Sequence, residues 1–250
     1  MISKKVTLDG PAMRPCLALE MIHRDGRCSP LSFPVQSVWN GGLAYRNLAV
    51  SEQHIAELRQ QGIEAEVERP MVFPLTPQVV TTAEVIDVLG METSGEVEYV
   101  LLVAGDQCYV TVGSDHSDRL LERVSVQMSK QVCPNVVARQ VWPYYDVQDH
   151  WDQLILRATV TVGGERLVYQ ESRLEVLCTV DYLLDLLRQA GAPRDGLVLF
   201  SGTIPTREKR LLFPEGYMLE LEDPVLDRVL RHIYKVRIWP RRSGELYQAR

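Results

Sequence analysis

The sequence contains no long apolar run, no lysine- or arginine-rich block before its last residues, and no internal repeat. No apolar stretch approaches the ~20 residues that cross a bilayer, so a membrane-spanning protein is not expected. The net charge of −6 over 250 residues argues against nucleic acid or an anionic membrane as the main partner. The N-terminal segment is polar after Ile2 and does not resemble a targeting signal.

Cysteine is also scarce, and its spacing excludes two common site types. The five cysteines form an odd set without a C-x-x-C pair: Cys16, Cys28, Cys108, Cys133 and Cys178. This pattern predicts neither a disulfide framework nor a zinc cluster, and we expect a protein of the reducing cytoplasm. A thiol nucleophile at Cys133 paired with His116 is the weaker alternative, because no oriented base lies within sequence reach of Cys133.

What the chain does contain is enough apolar material, 46% of its residues, for one sizeable core. Alternation, turn residues and helical spacing predict the main elements. Strands or extended segments are expected at 4–8, 14–21, 32–39, 97–103, 108–113, 154–162, 166–169, 197–200, 216–222 and 231–239. Helices are expected at 51–62 and 179–190, residues 82–90 favour a strand over a helix, and 120–128 fits either.

Three carboxylates concentrate around the two strands at 97–103 and 108–113. Glu96 and Glu98 are two residues apart and therefore share one face of a strand. Asp115 follows the second strand. Carboxylates that converge from neighbouring strands repel one another unless a cation lies among them, and oxygen ligands favour Mg²⁺, Mn²⁺ or Ca²⁺. Taken alone, a Glu-x-Glu at the start of a strand is more often only the solvated face of an antiparallel sheet.

A second pattern lies on the predicted helix 51–62. His54 and Glu57 are three residues apart, so they share a helix face, where the carboxylate can orient the imidazole. In isolation, such a pair is usually only solvated.

Together these motifs resemble the fumarylacetoacetate hydrolase (FAH) superfamily, and within it a bacterial branch of unassigned substrate. The superfamily has, in order, a His-x-x-Glu, a Glu-x-Glu, an Asp-x-Ser-x-Arg and a Lys before a Pro. The chain matches them with His54 to Glu57, with Glu96 and Glu98, with Asp115 to Arg119, and with Lys130 ahead of Pro134. A late Gly202-Thr203 matches in part, because Ile204 separates it from Pro205.

The resemblance implies a fold, a site and an assembly. The fold is α+β, a mixed β-sandwich roll with a few short helices, with an N-terminal extension at 1–38, a catalytic domain at 39–240 and a tail at 241–250. Metal ligands would be Glu96, Glu98 and Asp115, and catalytic residues would be His54, Glu57 and Lys130. Substrate-binding residues would be Arg119, Gly202 and Thr203. A homodimer is implied.

Two function classes remain open. The first is an enzyme that uses Mg²⁺ or Mn²⁺, with Ca²⁺ possible, on a small 2-oxo or 1,3-dicarbonyl acid. The cation would stabilise an enolate during C–C hydrolysis, decarboxylation or tautomerisation. The second is a non-catalytic small-ligand-binding protein that retains the FAH-like fold, with or without the metal.

Overall fold

The computed structural model describes residues 14–47, Glu52, Ile55 and residues 70–239. His54 and Glu57, the predicted strand at 4–8 and the tail lie outside the described residues. Of the predicted helix at 51–62, only Glu52 and Ile55 are described, and both are helical. The domain boundaries remain a prediction.

Strands dominate the described chain. Besides the helical Glu52 and Ile55, three short α-helices and four short 3-10 helices accompany them, the latter at Pro77–Val79, Tyr144–Asp146, Gln148–Gln153 and Leu174–Val176. The strands are β1 (Cys16–Ile22), β2 (Cys28–Pro34), β3 (Ser37–Gly42), β4 (Met71–Leu75), β5 (Val80–Thr81), β6 (Val85–Leu89), β7 (Thr93–Ala104), β8 (Gln107–Asp118), β9 (Asn135–Val137), β10 (Gln140–Pro143), β11 (Ile155–Val162), β12 (Glu165–Arg173), β13 (Leu197–Phe200), β14 (Gly216–Asp223) and β15 (Arg228–Trp239). The α-helices are α1 (Arg119–Glu122), α2 (Val126–Gln131) and α3 (Val180–Gln189). The predicted α+β class is confirmed.

Within the described residues the strands form two sheets. A ten-stranded sheet runs in the order β2-β1-β10-β8-β7-β13-β3-β4, with β9 beside β8 and β5 beside β9. A five-stranded sheet has the order β12-β11-β14-β15-β6. The predicted strands at 154–162 and 166–169 form a hairpin, β11 and β12. The two strands flank Gly163 and Gly164, both with positive φ, as a type I′ turn requires.

The two faces of β7 enter different cores. Tyr99 and Leu101 belong to the larger core, which also contains residues of the five-stranded sheet. Val100 and Leu102 point to the other face and belong to a smaller core within the ten-stranded sheet. Glu96 and Glu98 continue this second face, because side chains alternate along a strand. The fold therefore directs the two carboxylates away from the larger core.

The second central strand is longer than the sequence predicts. We expected it to end near Gly113, but β8 continues to Asp118, because β7 begins at Thr93 and pairs with it as far as Thr93–Asp118. Asp115 is therefore fixed inside a strand and not at its end. The Asp118 side chain then caps α1 by accepting hydrogen bonds from the backbone N–H groups of Leu120 and Leu121.

The segments that were ambiguous in sequence are resolved by the structure. Residues 82–90 contain a strand, β6, as favoured. Residues 120–128 contain parts of two short helices, α1 and α2, joined by residues 123–125. The hydroxyl of Ser125 caps α2 by accepting from the N–H of Met128 at 3.3 Å. The predicted helix at 179–190 is present as α3, and the structure gives Thr179 as its N-cap. No described helix has the length and apolar character needed to cross a membrane.

Gly113 lies where β8 has no room for a side chain. A Cβ atom there would come within 2.6 Å of both the Val100 side chain and the Val136 carbonyl oxygen. We expect Gly113→Ala to lower the free energy of unfolding by about 1–3 kcal/mol, the usual cost of overpacking. Urea denaturation followed by circular dichroism measures this change.

Gly216→Ala is the matched control in a strand of the other sheet. A Cβ atom at Gly216 would meet its nearest neighbour at 3.5 Å, an ordinary contact. A loss of stability in Gly113→Ala no larger than that in the control would contradict the close packing at Gly113.

Candidate metal centre

The register of β7 and β8 brings three carboxylates together. Glu96 is the direct partner of Asp115, and Glu98 lies two residues further along the same face. Carboxylate oxygens of these three residues all lie within 4.8 Å of one another. All three side chains are buried. Buried negative charges at this separation repel strongly unless positive charge compensates them.

Lys130 is the first source of that compensation. It lies near the end of α2, is buried, and its ammonium group forms an ion pair with Asp115. Burial lowers the pKa of Lys130, but the surrounding carboxylates, with Asp115 the strongest, outweigh this effect and raise it. The side chain is therefore a charged ammonium group.

Arg119 is the second source, and it holds two carboxylates at once. Its guanidinium group donates to Glu122 at 2.7 Å and lies 3.2 Å from Glu96. The Nε atom donates to the Ser94 hydroxyl at 2.6 Å. Burial opposes the charge of Arg119, but the negative charges of Glu122 and Glu96 outweigh it, so its pKa is raised well above the ordinary value.

Glu98 is the least compensated of the three carboxylates. One of its oxygens accepts a hydrogen bond from the N–H of Gly202 at 2.8 Å. Burial, followed by the charge of Asp115, raises the pKa of Glu98 well above its usual range, against the opposing effects of Lys130 and the Gly202 bond. Added positive charge would stabilise the ionised form of this side chain.

The net charge of the buried groups is negative and would be balanced by one divalent cation. Four buried carboxylates, those of Glu96, Glu98, Asp115 and Glu122, surround two buried cations, Lys130 and Arg119. Two negative charges remain when all six groups are ionised. The triad offers only oxygen atoms, which suit a hard cation such as Mg²⁺, Mn²⁺ or Ca²⁺. The residues present therefore fit such an ion.

The loop after β13 is fixed against this site. Gly202 has a φ of +89°, a conformation that favours glycine. The Thr203 hydroxyl donates to the Val97 carbonyl oxygen at 3.0 Å and accepts from Gln170 Nε2 at 2.7 Å. This hydroxyl therefore fastens the loop, and a substrate contact through it would compete with these bonds.

Gln170 is a component of the site that the sequence did not indicate. It lies on β12 of the other sheet, is fully buried, and also donates to the Ile204 carbonyl oxygen at 2.6 Å. Its Oε1 accepts from the Val97 N–H at 3.0 Å. One side chain thus connects the loop to the strand that carries Glu96 and Glu98.

The other face of β8 does not support the thiol alternative. The two ring nitrogens of His116 contact Thr93 at 3.0 Å and Tyr234 at 3.2 Å. Burial, together with the charge of Arg119, lowers the pKa of His116 to about 3. Burial raises the pKa of the Cys133 thiol to about 12. A neutral thiol and a histidine engaged elsewhere do not form a nucleophilic pair.

Seven of the nine predicted site residues are thus gathered in one region: Glu96, Glu98, Asp115, Arg119, Lys130, Gly202 and Thr203. Their roles remain predictions. The other two, His54 and Glu57, lie outside the described residues, although Ile55 between them is helical and packs in the larger core. Glu122 is a further member of this region that was not predicted, although its spacing of three residues from Arg119 on a helix could have indicated it.

Comparisons with solved structures show the same fold in several enzymes of the FAH superfamily. Cg1458 with inhibitor is 20% identical, with a TM-score of 0.62 over 86% of this chain and 84% of that chain. The 2-keto-3-deoxy-D-arabinonate dehydratase complexed with magnesium and 2,5-dioxopentanoate is 16% identical, with a TM-score of 0.56 over 82% and 74%. The 4-oxalocrotonate decarboxylase from Pseudomonas putida G7, complexed with calcium and acetate, is 16% identical, with a TM-score of 0.52 over 80% and 76%.

Sequence comparison gives the family itself. No curated protein matches the chain. The family model described as "Protein of unknown function (DUF2848)" matches residues 41–234, which include every predicted site residue. The chain therefore belongs to the DUF2848 family of proteins, with the fold of the FAH superfamily.

Proposed function

We propose that the protein is a divalent-metal-dependent enzyme acting on a small 2-oxo or 1,3-dicarbonyl acid. The observation that carries this proposal is the buried triad of Glu96, Glu98 and Asp115, with Lys130 and Arg119 in contact with it. Among the described residues, the four buried carboxylates of this region are accompanied by two buried cations. This excess of negative charge is costly in a protein that binds no further positive charge.

The cation would supply electrophilic stabilisation. When bound, Mg²⁺ or Mn²⁺, or else Ca²⁺, would hold the carboxylate and oxo oxygens of the substrate and stabilise negative charge that develops on the oxo group. The magnesium complex with 2,5-dioxopentanoate and the calcium complex with acetate are properties of the structural relatives, and they support this choice of ion and substrate.

Lys130 and Arg119 would act on the charge of the substrate. Lys130 is buried and the surrounding carboxylates keep it charged, so its ammonium group can donate a hydrogen bond to an oxyanion next to Asp115. Arg119 is oriented by Ser94 and Glu122. Its guanidinium group adds a fixed positive charge beside Glu96, which favours binding of an acid.

His54 and Glu57 complete the proposal as a proton-transferring pair. The carboxylate would orient the imidazole, which would act on water or on a substrate proton. Their support is the sequence motif, in which His54 and Glu57 share one face of the predicted helix. Such a site serves C–C hydrolysis, decarboxylation or tautomerisation. We further propose a cytoplasmic homodimer.

The first prediction concerns the metal. Asp115→Asn removes one ligand charge at nearly constant volume, so affinity for Mg²⁺ and Mn²⁺ should fall by at least about tenfold, as expected when a charged ligand is lost. Isothermal titration calorimetry measures this. Glu220→Gln is the control, because Glu220 is a buried carboxylate that pairs with Arg231 in the other sheet. Equal affinities of the two variants for Mg²⁺ and Mn²⁺ would show that Asp115 is not a metal ligand.

The second prediction concerns Lys130. Lys130→Met keeps the length and loses the charge, so turnover should fall by about 10²–10³, as for other groups that stabilise a developing oxyanion. Initial rates with Mg²⁺ or Mn²⁺ on acylpyruvates, oxaloacetate and related diacids measure the loss. The control is Lys235→Met, a change at an exposed lysine of β15.

Retained turnover in Lys130→Met would return Lys130 to a structural role as the partner of Asp115. An unmodified protein that binds Mg²⁺ and these acids but converts none of them would favour the non-catalytic binder.

The third prediction concerns the pair of His54 and Glu57. Because both would serve one proton transfer, His54→Ala and Glu57→Ala should each lower turnover by about 10²–10⁴, and the double variant little further. Metal affinity should stay at the parent value. Additive losses would show that the residues act independently, and parental rates in both single variants would exclude them from catalysis.

A further inference from the structure

Two buried asparagines lie next to the carboxylates and have no part in the site described above. Asn40 belongs to β3 and Asn135 is the first residue of β9, and both are fully buried. Asn135 Nδ2 donates to Asn40 Oδ1 at 3.3 Å. Strands β3 and β9 are not neighbours in the sheet. The contact therefore crosses the interior of the curled sheet.

The strand register places Asn135 beside Asp115. Ser114 of β8 pairs with Val136 of β9, so the next antiparallel position along both strands sets Asp115 opposite Asn135. Residues directly opposite in an antiparallel pair point to the same face, with Cβ atoms about 4.5–5.5 Å apart. The carboxamide of Asn135 thus lies on the face that carries the proposed cation site.

Asn40 reaches the same face from the opposite side. It pairs with Phe200 of β13, and Phe200 pairs with Val100 of β7. Paired residues share a face, and Val100 is two residues from Glu98 on the same strand. The two amides therefore lie on the same face of the sheet as the three carboxylates, Asn135 on the side of β8 and Asn40 on the side of β13.

Each amide has one polar atom without a hydrogen-bond partner anywhere in the described chain. These atoms are Asn40 Nδ2 and Asn135 Oδ1. Oxygen and nitrogen of an amide are assigned from the hydrogen-bond pattern, and exchanging them in both residues again leaves one donor and one acceptor. Buried polar atoms without partners are rare because leaving them unpaired is unfavourable. The pair is accounted for if a ligand provides both missing partners.

We infer that the Asn40–Asn135 pair is a subsite for a hydroxyl group of the substrate. A hydroxyl donates one hydrogen bond and accepts others, so it can serve the free acceptor and the free donor together. A second carboxylate offers only acceptors and would also meet the charge of Asp115, whereas a methyl group offers neither. The inference rests on the proposed function, and it specifies the substrate as a 2-oxo acid that carries a hydroxyl group.

The test compares acids that differ by a single hydroxyl. Protein in excess Mg²⁺ is titrated by calorimetry with 3-hydroxypyruvate against pyruvate, and with 4-hydroxy-2-oxobutanoate against 2-oxobutanoate. In the unmodified protein, the hydroxylated acid should bind at least roughly tenfold more tightly in one of the two pairs, because the amides are left unpaired by the other acid. This comparison needs no variant.

Variants then assign the preference to the amide pair. Asn40→Leu and Asn135→Leu should each bring the ratio of the two affinities close to one. Thr111→Val is the control, since Thr111 is fully buried on β8 and its hydroxyl donates to the Gln140 carbonyl oxygen at 2.6 Å, whereas the two amides bond to each other. The control should keep the parental ratio.

Each failure points to a different error. Equal affinities within both pairs in the unmodified protein, or a preference that survives in a folded leucine variant, overturn the subsite and leave the proposed function intact. Absence of Mg²⁺ binding, or of binding by all four acids, overturns the proposed function and the subsite with it.

Discussion

The pairing of β7 with β8 is the constraint on which the site depends, because it forces three carboxylates into a buried space. Glu96 and Asp115 are direct partners in the ladder, so neither can move away without breaking strand hydrogen bonds. Removing one partner of a buried ion pair costs about 3–5 kcal/mol, since it leaves the other charge uncompensated. The short helices α1 and α2 bring Arg119 and Lys130 to this point. The two helices after β8 thus supply the positive charges that compensate the buried carboxylates.

Side chains alternate along the same two strands, so one face packs in the core and the other carries the site residues. One face of β7 packs into the larger core between the sheets, while the other carries the carboxylates. Strand β13 pairs with residues 100–103 of β7 and does not extend along the part of β7 that carries Glu96 and Glu98. Side chains of the five-stranded sheet replace that neighbour, because Tyr217 and Gln170 accept from the N–H groups of Gly95 and Val97. The second sheet therefore supports the strand where the site lies.

The sequence predicted the parts of the structure that depend on short-range pattern. Period-2 alternation gave the central strands, two glycines gave the hairpin, and a capped leucine pattern gave α3. Residues 120–128 fitted either element in the sequence, and the structure shows that short helices there bring Lys130 to Asp115. The extension of β8 was missed, because it depends on pairing with residues that precede Glu96.

Contacts across the curled sheet could not be predicted from spacing. Gln170 is 73 residues from Val97, and Asn135 is 95 residues from Asn40. Neither pair belongs to a local motif, and each becomes visible only when hydrogen-bond partners are counted in three dimensions. The same limit applies to the sum of buried charges, since the spacing of Glu122 from Arg119 can indicate that they pair on a helix but not that both are buried.

The central claim is that one divalent cation binds among Glu96, Glu98 and Asp115. Diffraction from crystals grown with Mn²⁺, recorded at the manganese absorption edge, tests it most directly. The account predicts a single anomalous peak within about 2.0–2.6 Å of an oxygen from each of the three carboxylates, the range for hard cations. Clear electron density for all three carboxylate side chains, with no anomalous peak among them at millimolar Mn²⁺, would contradict the claim.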